Sequence, residues 1–122
     1  MNYLVVDMGR ILDESVAGRG ASEDLSKRWE MAQREFQELL ERAEAGDQEA
    51  AERAAELEAS VPAELEERRE SLQRQLLDRL KPIIAAVASE SGSPLILRAD
   101  QTLAYDPTKE ITDRIMEALD QS

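Results

Sequence analysis

RADQTLAYDPTKEITD, residues 98–113, decides the reading of this chain. Just before it, Leu95-Ile96-Leu97 is a compact apolar run, and within it Thr102-Leu103-Ala104-Tyr105 is a second run rich in β-formers. Four polar or small residues, Arg98 to Gln101, separate the two, so the pattern predicts a β-hairpin. Asp106-Pro107 is a turn pair. Thr112 then stands where it can cap a last helix, with Ile111 before it stapled onto Met116 and Ile115, Met116 and Leu119 forming the apolar face.

Working outward, Leu76, Leu80, Ile83, Ile84 and Val87 form a thick apolar stripe of helical period, stopped by Ser91-Gly92-Ser93-Pro94. At the other end Tyr3 to Val6 is a strand candidate closed by Asp7-Met8-Gly9, and Ile11-Leu12 begin a brief helical turn ended by Gly18 and Gly20. Between these ends lies a different texture. Ser22 is expected to cap a helix, with Glu23 and Asp24 behind it where negative charge suits the helix dipole. Leu25, Trp29, Ala32, Phe36, Leu39 and Ala43 follow at spacings of four and three, the seam of a coiled coil. Ala45-Gly46-Asp47 stops that helix and caps the next, whose seam is Ala50, Ala54, Leu57, Val61, Leu65 and Leu72. So short a turn makes the two helices antiparallel. Pro62 either kinks the returning helix or, with Ser60 as cap, begins a second segment.

Composition narrows the chemistry. With 27 acidic and 15 basic residues among 122 the net charge is −12, which repels phosphate backbones and anionic membrane surfaces and argues against nucleic acid as a partner. Cysteine and histidine are absent, excluding disulfides, thiol nucleophiles, imidazole catalysis and the usual zinc sites. Glycine-rich phosphate loops and a recognisable carboxylate pair are also missing, so neither an enzyme nor a cofactor is expected. The acidic run lacks the Asp-rich loop of a calcium site and reads as a solvated helix face. Asp7, Asp100 and Asp106 near strand ends have turn and cap roles available. No run is long enough to span a membrane, and MNYLVVDMG lacks the basic start and apolar core of a signal peptide; the chain is therefore expected to be cytosolic or already stripped of its export signal.

The fold class is α+β: residues 1–21 and 76–122 form a small strand-containing body, and residues 22–75 form a long antiparallel helical hairpin arm with its tip near 45–48. Three short strands cannot close a sheet on themselves, so self-association is expected to supply strand partners and core; an isolated domain with exposed edges is the alternative.

VVDMGRILDESVAGRG at Val5 to Gly20 and PLILRADQTLAYDPTKEITDRIMEAL at Pro94 to Leu119 resemble the two ends of the Skp (OmpH-like) family of periplasmic chaperones. The order strand, short helix, helical hairpin, β-hairpin, capped helix is similar too. The resemblance implies a homotrimer in which three chains share one β body, with Leu4, Val5, Val6, Leu95, Ile96, Leu97, Leu103 and Tyr105 as body residues and three arms enclosing a cavity. It further implies a periplasmic, ATP-independent holdase whose partners are unfolded outer-membrane proteins. A trimeric coiled-coil spacer that grips no client is the alternative.

The chain departs from that family in its short arms, its lack of a visible export signal and, above all, its charge. From Glu35 to Glu67 twelve acids face two bases, a net of −10 at the tip half of the arm. Arg68, Arg69, Arg74, Arg79 and Lys81 either form a client-facing basic belt or pair within the helix with Glu64, Glu70 and Asp78. Within the arm seam of Leu25, Trp29, Phe36, Leu39, Leu57, Val61, Leu65 and Leu72, the two aromatics either pack between helices or touch clients.

Overall fold

The computed structural model describes residues 2–93 and 95–122; Pro94, expected among the residues that stop the long second helix, lies outside them, as does Met1. The elements are β1 (Leu4–Val6), α1 (Met8–Glu14), α2 (Val16–Glu44), α3 (Gln48–Ser91), β2 (Ile96–Arg98) and α4 (Thr112–Asp120), with single 3-10 turns at Ala99–Gln101 and Pro107–Lys109. The chain divides into two compact units, one of Met1–Gly20 with Gln73–Ser122 and the other of Ala21–Leu72.

In the discontinuous unit the expected hairpin is replaced by a parallel pair. Leu4 lies opposite Ile96, Val5 opposite Leu97 and Val6 opposite Arg98. On its other side β1 meets Glu110, and the Ile111 amide donates to the Val5 carbonyl at 2.9 Å. The strand from the chain's start thus pairs along one edge of β2, whose other edge carries no strand among the described residues. Residues 102–105 form no strand: the 3-10 turn bends the chain away, the Thr102 hydroxyl donates back to the Arg98 carbonyl at 2.8 Å, and Leu103 stands fully exposed.

Branched aliphatics fill this unit. Val6, Ile11, Leu76, Leu80, Val87, Ile111, Ile115 and Leu119 are buried together, with Leu4, Met8, Leu12, Ile83, Ile84, Ile96 and Met116 packed around them. Hydrogen bonds between residues far apart in sequence fix the layout. Thr112, fully buried, accepts from the Asp7 amide at 2.9 Å, so its hydroxyl serves a distant segment rather than capping α4. The Asp120 carboxylate accepts from the Val16 amide at 3.0 Å, satisfying one free donor at the start of α2.

The second helix begins at Val16, six residues before the expected cap at Ser22. Ser15 is the reason: its amide donates to the Ile11 carbonyl and closes α1, while its hydroxyl accepts from the Gly18 amide at 2.9 Å and opens α2. Gly18 and Gly20 are inside the helix, not at its end. A side chain at Gly18 would place Cβ 2.0 Å from the Leu12 carbonyl oxygen, so glycine is required for close approach there.

The hairpin unit follows local signals. Gly46 adopts φ +101°, the Gly46 amide donates to the Ala43 carbonyl and the Asp47 amide to that of Arg42, which is the Schellman arrangement for ending a helix. Asp47 then caps α3 by accepting from the Ala50 amide at 3.1 Å. Gly92, φ +65°, ends α3 in the same way with bonds to Ser89 and Ala88. Pro62 starts no second segment. The helix runs through it for 44 residues, and the Ser60 hydroxyl donates to the Leu57 carbonyl instead of capping.

Candidate functional site

Within the hairpin unit the seam is narrow. Ala32, Leu39, Ala50, Ala54 and Val61 are buried, while Leu25, Phe36, Leu40, Leu57, Leu65 and Leu72 are only half-buried. Small side chains at the centre leave no depth for large ones. Trp29, one helical turn before Ala32 on α2, consequently keeps 48% of its surface exposed. Trp29, Phe36, Leu57, Val61 and Pro62 line an open groove of about 790 Å³ between the two helices. Its polar lining includes Glu30, Glu38 and Glu58 against a single cation, Arg34.

Ion pairs hold the two helices in register below the groove. Arg28 donates to both Glu64 oxygens at 2.7 and 3.0 Å, and Arg68 to both Asp24 oxygens at 3.1 and 2.7 Å. The Arg28 bond holds the Glu64 carboxyl below its ordinary value. At the tip the Ala50 amide, followed by Arg42, does the same to Asp47. The unit carries sixteen acids and seven bases, a net of −9, against −3 for the rest of the chain.

The structure distributes the basic positions singled out from sequence. Arg68 crosses to Asp24, Arg69 pairs with Glu66 at 2.6 Å and Lys81 stands 3.8 Å from Asp78. Arg79 donates to the Leu119 carbonyl and the Ser122 hydroxyl, closing the end of α4, and Arg74 is exposed. Of the body positions, Leu4, Val5 and Val6 lie in β1 and Ile96 and Leu97 in β2; Leu95 precedes β2, and the Tyr105 hydroxyl donates to Glu110 at 3.3 Å. Burial first, then the Glu110 charge, raises the Tyr105 phenol above its usual value. Leu103, at the opposite extreme, touches water on all sides.

Heptad spacing places Trp29 in the seam and gives no reason to include Pro62. Of the seam alanines Ala32 lines the groove, whereas Ala50 and Ala54 pack with Leu39 nearer the turn. Among the described residues, no cluster of three or more carboxylates could hold a metal ion, and no helix is long and apolar enough to cross a membrane.

Residues 2–119 match the family described as Outer membrane protein (OmpH-like). The fold is similar to the crystal structure of a Caulobacter crescentus protein described as an OmpH-like outer membrane chaperone, at 18% identity over 98% of this chain and 83% of that one, with a TM-score of 0.58. Comparison with curated proteins gave no match. On a family match that runs nearly the length of the sequence, the chain belongs to the OmpH-like family.

Proposed function

We propose that this protein is an ATP-independent holdase of the periplasm that keeps unfolded outer-membrane proteins soluble before membrane insertion. The observation that carries this reading is the apolar groove along the hairpin, with a half-exposed tryptophan on a helical unit of net charge −9. An isolated protein gains nothing from leaving Trp29 in water, whereas a transiently bound unfolded chain can cover it. Residues 1–21 and 76–122 serve as the assembly body of a homotrimer and residues 22–75 as the arm. The fully exposed Leu103 and the exposed Leu95 and Val16 are apolar surface that neighbouring chains would cover.

The test is aggregation. An outer-membrane β-barrel protein diluted out of denaturant should scatter light on its own and stay clear with a stoichiometric amount of this protein, with no effect of added nucleotide. Equal scattering with and without the protein would favour a spacer that holds no client. Assembly is read separately, by the molar mass in solution: a trimer is expected, and Ile96→Asp, which puts a charge against the core that Ile96 packs on, should dissociate and unfold it. A wild-type monomer at micromolar concentration would remove the body from the account.

A further inference from the structure

The groove's rim points to the kind of segment it holds. Three carboxylates, Glu30, Glu38 and Glu58, stand around the apolar floor with one guanidinium, Arg34, in a unit of net charge −9. An acidic segment laid on Trp29 and Phe36 would meet like charge at three places around the groove and opposite charge at one. A segment with a bulky apolar side chain flanked by lysine or arginine would meet the reverse. It could seat the apolar group against Trp29, Val61 and Pro62 and present its cations to the rim carboxylates, and its aromatic or cationic groups could also stack on the indole.

We infer that the groove selects extended, unfolded segments in which apolar residues are flanked by cationic ones. This rests on the holdase reading and supplies its substrate class. The same charge disfavours a second copy's hairpin as occupant, since two units of −9 repel at close range. Exposed carboxylates act over about a Debye length, roughly 10 Å at 0.1 M salt, so the selection is strongest in dilute buffer and fades as salt rises.

Trp29 is the chain's only tryptophan and lines the groove, so its emission reports occupancy directly. The probes are synthetic peptides without tryptophan, sharing one Leu-Phe-Leu core and flanked by two lysines, two serines or two glutamates on each side. Titrated into the full-length protein at low salt, the lysine-flanked peptide should bind about tenfold more tightly than the glutamate-flanked one, the scale of two or three exposed charge contacts. The serine-flanked peptide should fall between. Raising salt to 0.5 M should shrink the gap, and Glu30→Gln with Glu38→Gln and Glu58→Gln should shrink it at low salt while circular dichroism stays unchanged. Equal affinities for the three peptides, or a preference for glutamate flanks, would overturn the inference. So would emission that depends on protein concentration without peptide, which would mean that a second copy covers the indole. The holdase reading fails by a different result, unprotected aggregation of a whole unfolded barrel protein, so either can fall while the other stands.

Discussion

The two units are stabilised in opposite ways. In the discontinuous unit Ile11, Leu80 and Ile115 have no exposed surface, and hydrogen bonds such as Asp7 to Thr112 join residues 105 apart in sequence. In the hairpin unit the buried set is mostly alanine with Leu39 and Val61, and arginine–carboxylate pairs at the surface add contacts between the helices. Branched side chains meeting from many segments make a core that opens all at once; a thin seam between two helices can open locally at small cost. A holding surface needs the second property. Exposed apolar groups remain available because the seam beneath them is too shallow to absorb them.

The largest expected effect breaks the first half of this contrast. Leu80→Ala should cost about 3–5 kcal/mol, since a fully buried leucine leaves a cavity, and should lower the thermal midpoint of the whole molecule. A loss under about 1 kcal/mol in denaturant titration would mean that the core around α4 is loosely packed. Next, Ala50→Leu should cost about 1–3 kcal/mol by overpacking the narrow seam. Its effect should be confined to the hairpin: amide exchange should quicken around residues 36–57 and stay unchanged at Ile11 and Ile115. Uniform acceleration would show that the two units unfold together.

The units also differ in how much of each was legible in sequence. The hairpin's turn was readable because its causes are local: Gly46 supplies a positive φ, Asp47 caps, and both act within four residues. The discontinuous unit was readable as apolar runs but not as pairings. Nothing near Ser15 reveals that it closes one helix and opens the next, because the close approach of Gly18 to Leu12 exists only once α1 and α2 are folded against each other. Thr112 looked like a cap for its own helix, and its donor turned out to be Asp7 at the other end of the chain. Thr102 to Tyr105 has β-forming residues, yet the 3-10 turn at Ala99–Gln101 leads the chain away, and the second edge of β2 carries no strand among the described residues. In the arm, spacing named the seam residues, and the alanine content decided which of them remain in water.

A smaller effect sharpens the view of the hairpin as held by exposed charge. The Arg28 bond keeps Glu64 below the usual carboxylate range. Such a group contributes stability that is present above its unfolded-state pKa, near 4.3 for a glutamate, and that is lost as pH falls through the lower folded value. Glu64→Gln should therefore weaken exchange protection of the hairpin slightly at pH 7, with the gap from wild type closing as pH drops below about 4. A gap that widened on acidification would contradict the ion pair's role. High salt should narrow it at neutral pH as well.

On the proposed function the hairpin groove holds unfolded chain while the other unit only assembles. This division of roles is tested most directly by light scattering of a diluted outer-membrane barrel protein with wild type and with Trp29→Gln. The substitution removes a half-buried ring from the groove and keeps a good helix former, so it should cost about 1–3 kcal/mol and leave the oligomeric mass unchanged. Wild type should suppress scattering at stoichiometric amounts, and the variant should need several times more protein for the same protection. Undiminished protection by a correctly assembled Trp29→Gln would contradict this division and move client holding away from the groove.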